Sequence, residues 1–203
     1  MAITDGLSVL CADLQASGGL QQVLIREWNS TGSPDKIAFN ASHSIASIAD
    51  SVGATATWGV FESKIETSSL TISGTTVKNV STYDCNLSFH IPNISLTHLD
   101  SLNDFRGKCL MVAVKDTNDQ WLNIGVSDVL TGGDGGLDIP VALHIGTRPQ
   151  TFAKLASMEG GTGGSFSDEN GLTVTINCTQ YELPRILSVV PTIAADGLSA
   201  TTT

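Results

Sequence analysis

Positive charge is scarce in this 203-residue chain: 10 Lys and Arg stand against 20 Asp and Glu, a formal net charge of −10 at pH 7. No Lys/Arg cluster occurs. Proteins that grip nucleic acid neutralise phosphates with such clusters, so stable nucleic-acid binding is disfavoured. An acidic surface instead repels a polyanion that passes it. Charged residues of either sign make up only 15%, below the usual quarter, which leaves the surface to Ser, Thr, Asn and Gly. Aromatic residues are 5%, which argues against a sugar cleft lined by Trp and Tyr. No apolar run approaches the ~20 residues of a membrane helix. The opening "MAITDGLSVLCADLQASGG" lacks a basic start, and Asp5 and Asp13 interrupt it, so it is not read as a secretory signal. The N-x-[ST] sequons at Asn29, Asn40, Asn79, Asn86, Asn93 and Asn177 are accordingly by-products of Ser/Thr richness. Cys11, Cys85, Cys109 and Cys178 form no C-x-x-C pair, which excludes a zinc ribbon or a thioredoxin-type site. They are read as buried thiols, since free Cys behaves as a small hydrophobe.

Catalytic signatures are missing too. "GGTGG" at 160–164 leads into a strand and no G-K-[ST] follows, whereas a phosphate loop needs a helix N-terminus behind it. These glycines are a turn or hinge into the last strand. "GGDGGLDIP" at 132–140 approaches a calcium-binding repeat, but Leu137 occupies the acidic position, and one copy cannot build stacked sites; it is a loop. His43, His90, His98 and His144 are isolated and fit surface or capping roles. No G-x-S-x-G occurs. Glu62 and Glu66 flank Lys64 on one strand face, a solvated face rather than a glycosidase pair. The chain is read as a non-enzyme with no cofactor and no metal site.

What is present is strand. In "VFESKIETSSLTISGTTVKNVSTYDCNLSFHIP", Val77, Tyr83, Cys85, Leu87, Phe89 and Ile91 alternate with Lys78, Thr82, Asp84, Asn86, Ser88 and His90, the period of a half-buried strand. The pattern predicts a long hairpin over about 60–91, with a type II′ turn at Gly74 and Thr75. In that register Glu62, Lys64 and Glu66 fall on the apolar face. A β-bulge at Ser68 and Ser69 corrects this and pairs Phe61 with Leu87, Ile65 with Tyr83, and Lys64 with Asp84. Fifteen strand residues span about 50 Å, against a body of about 43 Å. A lone ribbon of that length is marginal in water. It therefore curves around the body or pairs with neighbouring copies, and the second option implies an obligate oligomer.

A helix is predicted at about 95–106, capped by Ser95 and ended by Gly107, with Leu96, Leu99, Leu102 and Phe105 as its core stripe. Further strands are predicted at Leu20–Trp28, "KIAFN", "KCLMVAV" and "WLNIGV" around a turn at Asp116–Asp119, "IPVALHIGTR" and "QTFAKLASM". The closing strand points Leu172, Val174, Ile176 and Cys178 inward and Thr173, Thr175, Asn177 and Thr179 outward. "ASHSIASIADSVGATATWG" reads as loop. The fold class is mainly β: one β-sandwich domain over 1–187 with one short α-helix and a long extended hairpin. Residues 188–203 read as a small polar tail, mobile or an assembly arm.

The order of a long hairpin, a Leu-rich helix, the "VKDTNDQWLNIG" hairpin and a closing "GGSFSDENGLTVTINCTQYELP" resembles the tail tube (major tail) proteins of tailed bacteriophages. "CADLQASGGLQQVLIREW" is similar to the opening of structural proteins from phages of Bacteroidetes-type hosts. The resemblance spans roughly residues 11–187. It implies a virion structural protein, assembled in the bacterial host cytoplasm, whose copies form stacked hexameric rings. The hairpin then adds strands to an oligomeric inner β-barrel around an acidic channel. Its partners would be other copies and tail proteins such as the tape measure and terminator; DNA passes transiently, and no membrane is involved. Glu62, Glu66 and Asp84, with Lys64 and Lys78 among them, would face the lumen, and Val77, Leu87 and Phe89 the sandwich. The segment at 41–59 would join one ring to the next. Alternative readings are a head–tail connector, a tail terminator, a capsid decoration protein, or a carbohydrate- or receptor-binding sandwich of the tail tip.

Overall fold

The computed structural model describes residues 18–28, 36–40, 44–49, 56–63, 67–77, 80–92, 96–125, 152–162, 170–180, 182–195, 197 and 199–202. In chain order the strands are β1 (Leu20–Glu27), β2 (Lys36–Phe39), β3 (Ile45–Ala49), β4 (Ala56–Glu62), β5 (Ser69–Val77) and β6 (Val80–Pro92). Helix α1 (Leu96–Asp104) follows. Then come β7 (Leu110–Asp116), β8 (Trp121–Ile124), β9 (Lys154–Gly161), β10 (Gly171–Gln180), β11 (Arg185–Ile186), β12 (Thr192–Ile193) and β13 (Ser199–Thr202). The named strands form three antiparallel sheets: a seven-stranded one in the order β11-β8-β7-β1-β4-β13-β12, a four-stranded one in the order β5-β6-β10-β9, and the ribbon β2-β3.

Two kinds of strand sequence explain the layering. β1 and β7 are apolar on consecutive positions, and both of their faces are buried. Val23, Ile25, Val112 and Val114 enter one core, while Leu24, Met111 and Ala113 enter another. A strand covered on both sides needs no alternation. β6 and β10 do alternate. Cys85, Leu87, Phe89, Ile91, Val174, Ile176 and Cys178 join the first core, shared with the seven-stranded sheet and Leu102 of α1. On the far side, Trp58 and Trp121 pack in the second core with Ile37, Ile45 and Ile48 of the ribbon. Two sheets packed on one core are sandwich-like, as predicted, and the ribbon adds a third layer.

The hairpin differs from its prediction. β5 and β6 pair from Ser69↔Ser88 to Val77↔Val80 with no shift of register, so Gly74 and Thr75 do not turn the chain. Gly74 lies within the strand opposite Tyr83. A Cβ there would approach the Tyr83 ring carbons to 3.1 Å, so the glycine makes room for an aromatic ring. There is no bulge at Ser68 and Ser69 either. Buried Ser68 accepts the His90 N–H at 3.3 Å, and Ser69 opens β5. Phe61 pairs with Val23, and Glu62 with Gln22, in the seven-stranded sheet; Tyr83 and Asp84 pair with Gly74 and Ser73. The chain leaves one sheet at Glu62 and enters the other at Ser69. In the observed register, Leu70 and Ile72 share a face with Leu87 and Cys85. Apolar then meets apolar without an inserted residue. Val77 shares the opposite face with Asp84 and is 62% exposed, so it does not pack into the sandwich as Leu87 and Phe89 do.

Three further readings change. Part of the predicted loop at 41–59 is β3 and the start of β4, and Ile45 and Ile48 are buried. Of the predicted helix stripe only Leu102 is buried and Phe105, just past α1, partly so; Leu96 is 74% exposed and Leu99 also faces solvent. The small polar residues read as a tail supply β12 and β13. Ala200 is buried in the second core, and the Trp58 Nε1–H donates to Thr202 Oγ1 at 3.4 Å. The Asp116 turn is as predicted: its Oδ1 accepts the N–H groups of Asn118 and Gln120, both at 2.8 Å. Gly107, at φ 73°, follows the helix. Cys11, His43, Ser95, His144, the predicted loop at 127–138 and the predicted strand at 139–148 lie outside the described residues.

The crossing from β10 to β11 is held by one buried amide. Gln180 Oε1 accepts the Gly125 N–H at 3.3 Å, and its Nε2 donates to the Glu182 carbonyl at 2.8 Å. The Arg185 guanidinium binds the Glu182 carboxylate just beyond. Gln180→Leu keeps the volume but leaves a buried N–H and a carbonyl without these partners. An unsatisfied buried group costs about 1–3 kcal/mol, so we expect a loss of about 2–3 kcal/mol in urea unfolding.

Candidate functional site

The four-stranded sheet presents one face to the core and the other to solvent. Its pairing aligns side chains across strands in rows. Ser73, Asp84 and Thr179 form one row; Thr71, Asn86, Asn177 and Lys154 the next; then Ser69, Ser88, Thr175 and Ser157; then His90, Thr173 and Glu159. Short cross-strand bonds stiffen this face: Thr179 Oγ1 donates to Asp84 Oδ1 at 2.7 Å, and His90 Nδ1 lies 3.2 Å from Thr173 Oγ1. Where the β9–β10 register shifts between Thr175 and Ile176, a shallow depression of about 350 Å³ opens beside Asp84, Asn86, Lys154 and Asn177.

The sheet's two edges are its second feature. β5 and β9 are the outer strands, and among the described residues no strand covers either. Along β5 only Leu70 is partly covered, and along β9 only Leu155. Natural edges are blunted by charge, proline or bulges, yet "SLTISGTTV" in β5 has neither a charge nor a proline. Each edge also leaves an apolar side chain of the core-facing side half-covered: Ile72 is 39% exposed and Met158 37%. Beyond Tyr83↔Gln180 β10 ends, and Thr75–Val77 and Val80–Thr82 continue as a two-stranded tip.

Not all the predicted site residues converge on this sheet. Asp84 lies on the polar face. Glu62 is exposed at the end of β4 in the other sheet, opposite Gln22. Ser69, Gly74 and Thr75 sit in edge strand β5. Lys64, Glu66 and Lys78 lie outside the described residues. The face is weakly acidic: its described charges are Asp84, Lys154 and Glu159. Sequence reading found the outward set of β10 but not its match with β6, nor Lys154 and Glu159 beside it. The signal was available, since β6 and β10 are alternating strands of similar length whose polar positions face the same way once paired. Gly160 belongs to β9 itself, and a Cβ there would stand 2.2 Å from the Gly171 carbonyl oxygen. It permits close strand approach, while Gly163 and Gly164 lie outside the described residues.

Among the described residues, no three His, Cys, Asp or Glu side chains are grouped to hold a metal ion. No helix of the described residues is long and apolar enough to cross a membrane. No protein-family model matches the chain, and neither a curated protein nor a solved structure does.

Proposed function

We propose that this chain is a structural subunit of a phage-type tail tube, closing rings by pairing β5 of one copy with β9 of the next. The observation that carries this reading is the four-stranded sheet, amphipathic across its faces and, among the described residues, with no strand on either edge. Open edges promote uncontrolled association, and closure into a barrel removes them. Six copies, the number the family resemblance implies, would give a barrel of about 24 strands. Barrels of roughly 16–18 strands already enclose an aqueous channel. The core-facing residues keep the barrel wall anchored to each sandwich, and the Ser, Thr and Asn rows line the channel. With Lys154 the one described cation on that face, it offers DNA little to hold. The same reading places the protein in the virion after assembly in the host cytoplasm, with other copies, tape measure and terminator as partners.

Concentrated purified protein should sediment as rings or filaments and show hollow stacked rings by negative-stain microscopy. Closed rings that never stack would favour a connector or terminator. A monomer at every accessible concentration would overturn the proposal.

A further inference from the structure

Cys85 of β6 and Cys178 of β10 are direct cross-strand partners in the middle of the four-stranded sheet. Both thiols are free and both lie in the core, 1% and 4% exposed. Directly opposed residues on antiparallel strands have Cα atoms about 4.5–5.5 Å apart, inside the window of about 4.4–6.8 Å that a disulfide spans. The pair's Cα separation is therefore within reach of a disulfide. Cys109 packs against the second core, on the far side of the seven-stranded sheet, and cannot compete.

The surroundings prepare one sulfur to react and the other to follow. The Cys178 thiol hydrogen-bonds to Cys85 and holds it below the usual thiol range, against the burial that raises it. The same hydrogen bond, then burial, pushes Cys178 far up, so it stays protonated. Gln180 Oε1 lies 3.7 Å from the Cys178 sulfur as a second acceptor. Nucleophilic thiols are those that ionise, so Cys85 attacks first. Their burial excludes any large oxidant.

We propose that Cys85 and Cys178 form an oxidation site that hydrogen peroxide converts into a disulfide stapling β6 to β10. The Cys85 thiolate attacks one peroxide oxygen and breaks the O–O bond. Cys85 becomes a sulfenic acid and the other oxygen leaves as hydroxide, which takes up the proton that Cys85 released and becomes water. Cys178 then attacks the sulfenic sulfur, the S–S bond forms, and the second oxygen leaves as water with the Cys178 proton. Two thiols and one peroxide give one disulfide and two waters; sulfur is oxidised and peroxide oxygen reduced. The bond closes a loop of 93 residues (178 − 85), and long loops are where a cross-link most restricts the unfolded chain. This site does not depend on the assembly proposed above.

The test is hydrogen peroxide treatment of the full chain, followed by alkylation in denaturant and peptide mapping. Peptides carrying Cys85 and Cys178 should appear cross-linked, and alkylatable thiols should fall from the four of the sequence to two. The urea midpoint should rise, and a reductant should reverse all three changes. Cys109→Ser should leave the cross-link intact. In Cys178→Ser, a sulfenic acid should accumulate at Cys85 and be captured by dimedone. Separately alkylated Cys85 and Cys178 after treatment, or a cross-link that involves Cys109, would overturn the proposal. The wild-type peptide map decides this even where a variant fails to fold.

Discussion

Ile72→Lys and Met158→Lys are each expected to abolish self-association while the monomer keeps its fold. Ile72 and Met158 stand on opposite edge strands of one sheet, both directed toward the core side and both more than a third exposed. In the free chain a lysine at either site reaches water along its flexible stem, so the monomer should lose little. Edge pairing between copies would enclose that side chain in an apolar seam. An inward-pointing charge is a device by which natural edge strands refuse partners. A charge buried without a partner costs about 3 kcal/mol or more, and each 1.4 kcal/mol is tenfold in affinity. The concentration needed for assembly should therefore rise at least ~100-fold. Sedimentation velocity across a concentration series measures this, and far-UV circular dichroism monitors the fold. Unchanged assembly in both variants would remove these edges from the interface. Thr71→Lys, on the polar face of β5, is the contrast: its side chain would point into the channel, and rings should still form.

Phe61→Ala should be the most damaging single core truncation. Phe61 is buried at the end of β4, where three elements meet. Its ring lies 6.1 Å from Phe89 of β6, 6.1 Å from His98 of α1 and 6.4 Å from Phe105, which follows α1. Removing it takes away the contact that joins the seven-stranded sheet, the four-stranded sheet and the helix. Phe→Ala in a core costs about 3–5 kcal/mol, and aromatic pairs add about 0.5–1.5 kcal/mol beyond their area. For a chain of this length each kcal/mol moves Tm by about 2–4 °C, so a loss of about 4 kcal/mol lowers Tm by about 8–16 °C, read by calorimetry. Leu96→Ala, at a mostly exposed helix position, should change stability by less than ~0.5 kcal/mol. A Phe61→Ala variant within ~1 kcal/mol of wild type would show that the sheets do not depend on this contact.

Legibility from sequence followed the range of the interaction involved. The inward and outward sets of β10 were readable because alternation is a property of one strand. So was the buried character of "LMVAV" in β7. Pairing was harder. Gly74 attracted the turn because glycine favours turns locally, whereas the true register depends on matching Leu70 and Ile72 with Leu87 and Cys85. The strand role of 199–202 left no local trace: Ser, Ala and Thr carry little apolar signal, and the pairing that recruits them joins Ala200 to Trp58, far apart in the chain. For the same reason Glu62 and Asp84 were joined on one ribbon when they belong to different sheets. Their separation follows from the crossing between Glu62 and Ser69, which alternation alone cannot reveal.

The position of β13 also orders events in time. It lies between β4 and β12, so the segment that covers Trp58 is synthesised some 140 residues after the strand it covers. At about 5–20 residues per second, β4 spends on the order of ten seconds with that flank open. β10 likewise reaches β6 only after the intervening helix and hairpin have emerged. Topologies rich in such distant pairings fold slowly, in about milliseconds to seconds once the chain is complete. Neither sheet can therefore be finished while its first strands are leaving the ribosome. In the proposed tube, the same delay would keep the four-stranded sheet from offering both edges to neighbours before β9 and β10 arrive, which would separate folding of each copy from its assembly.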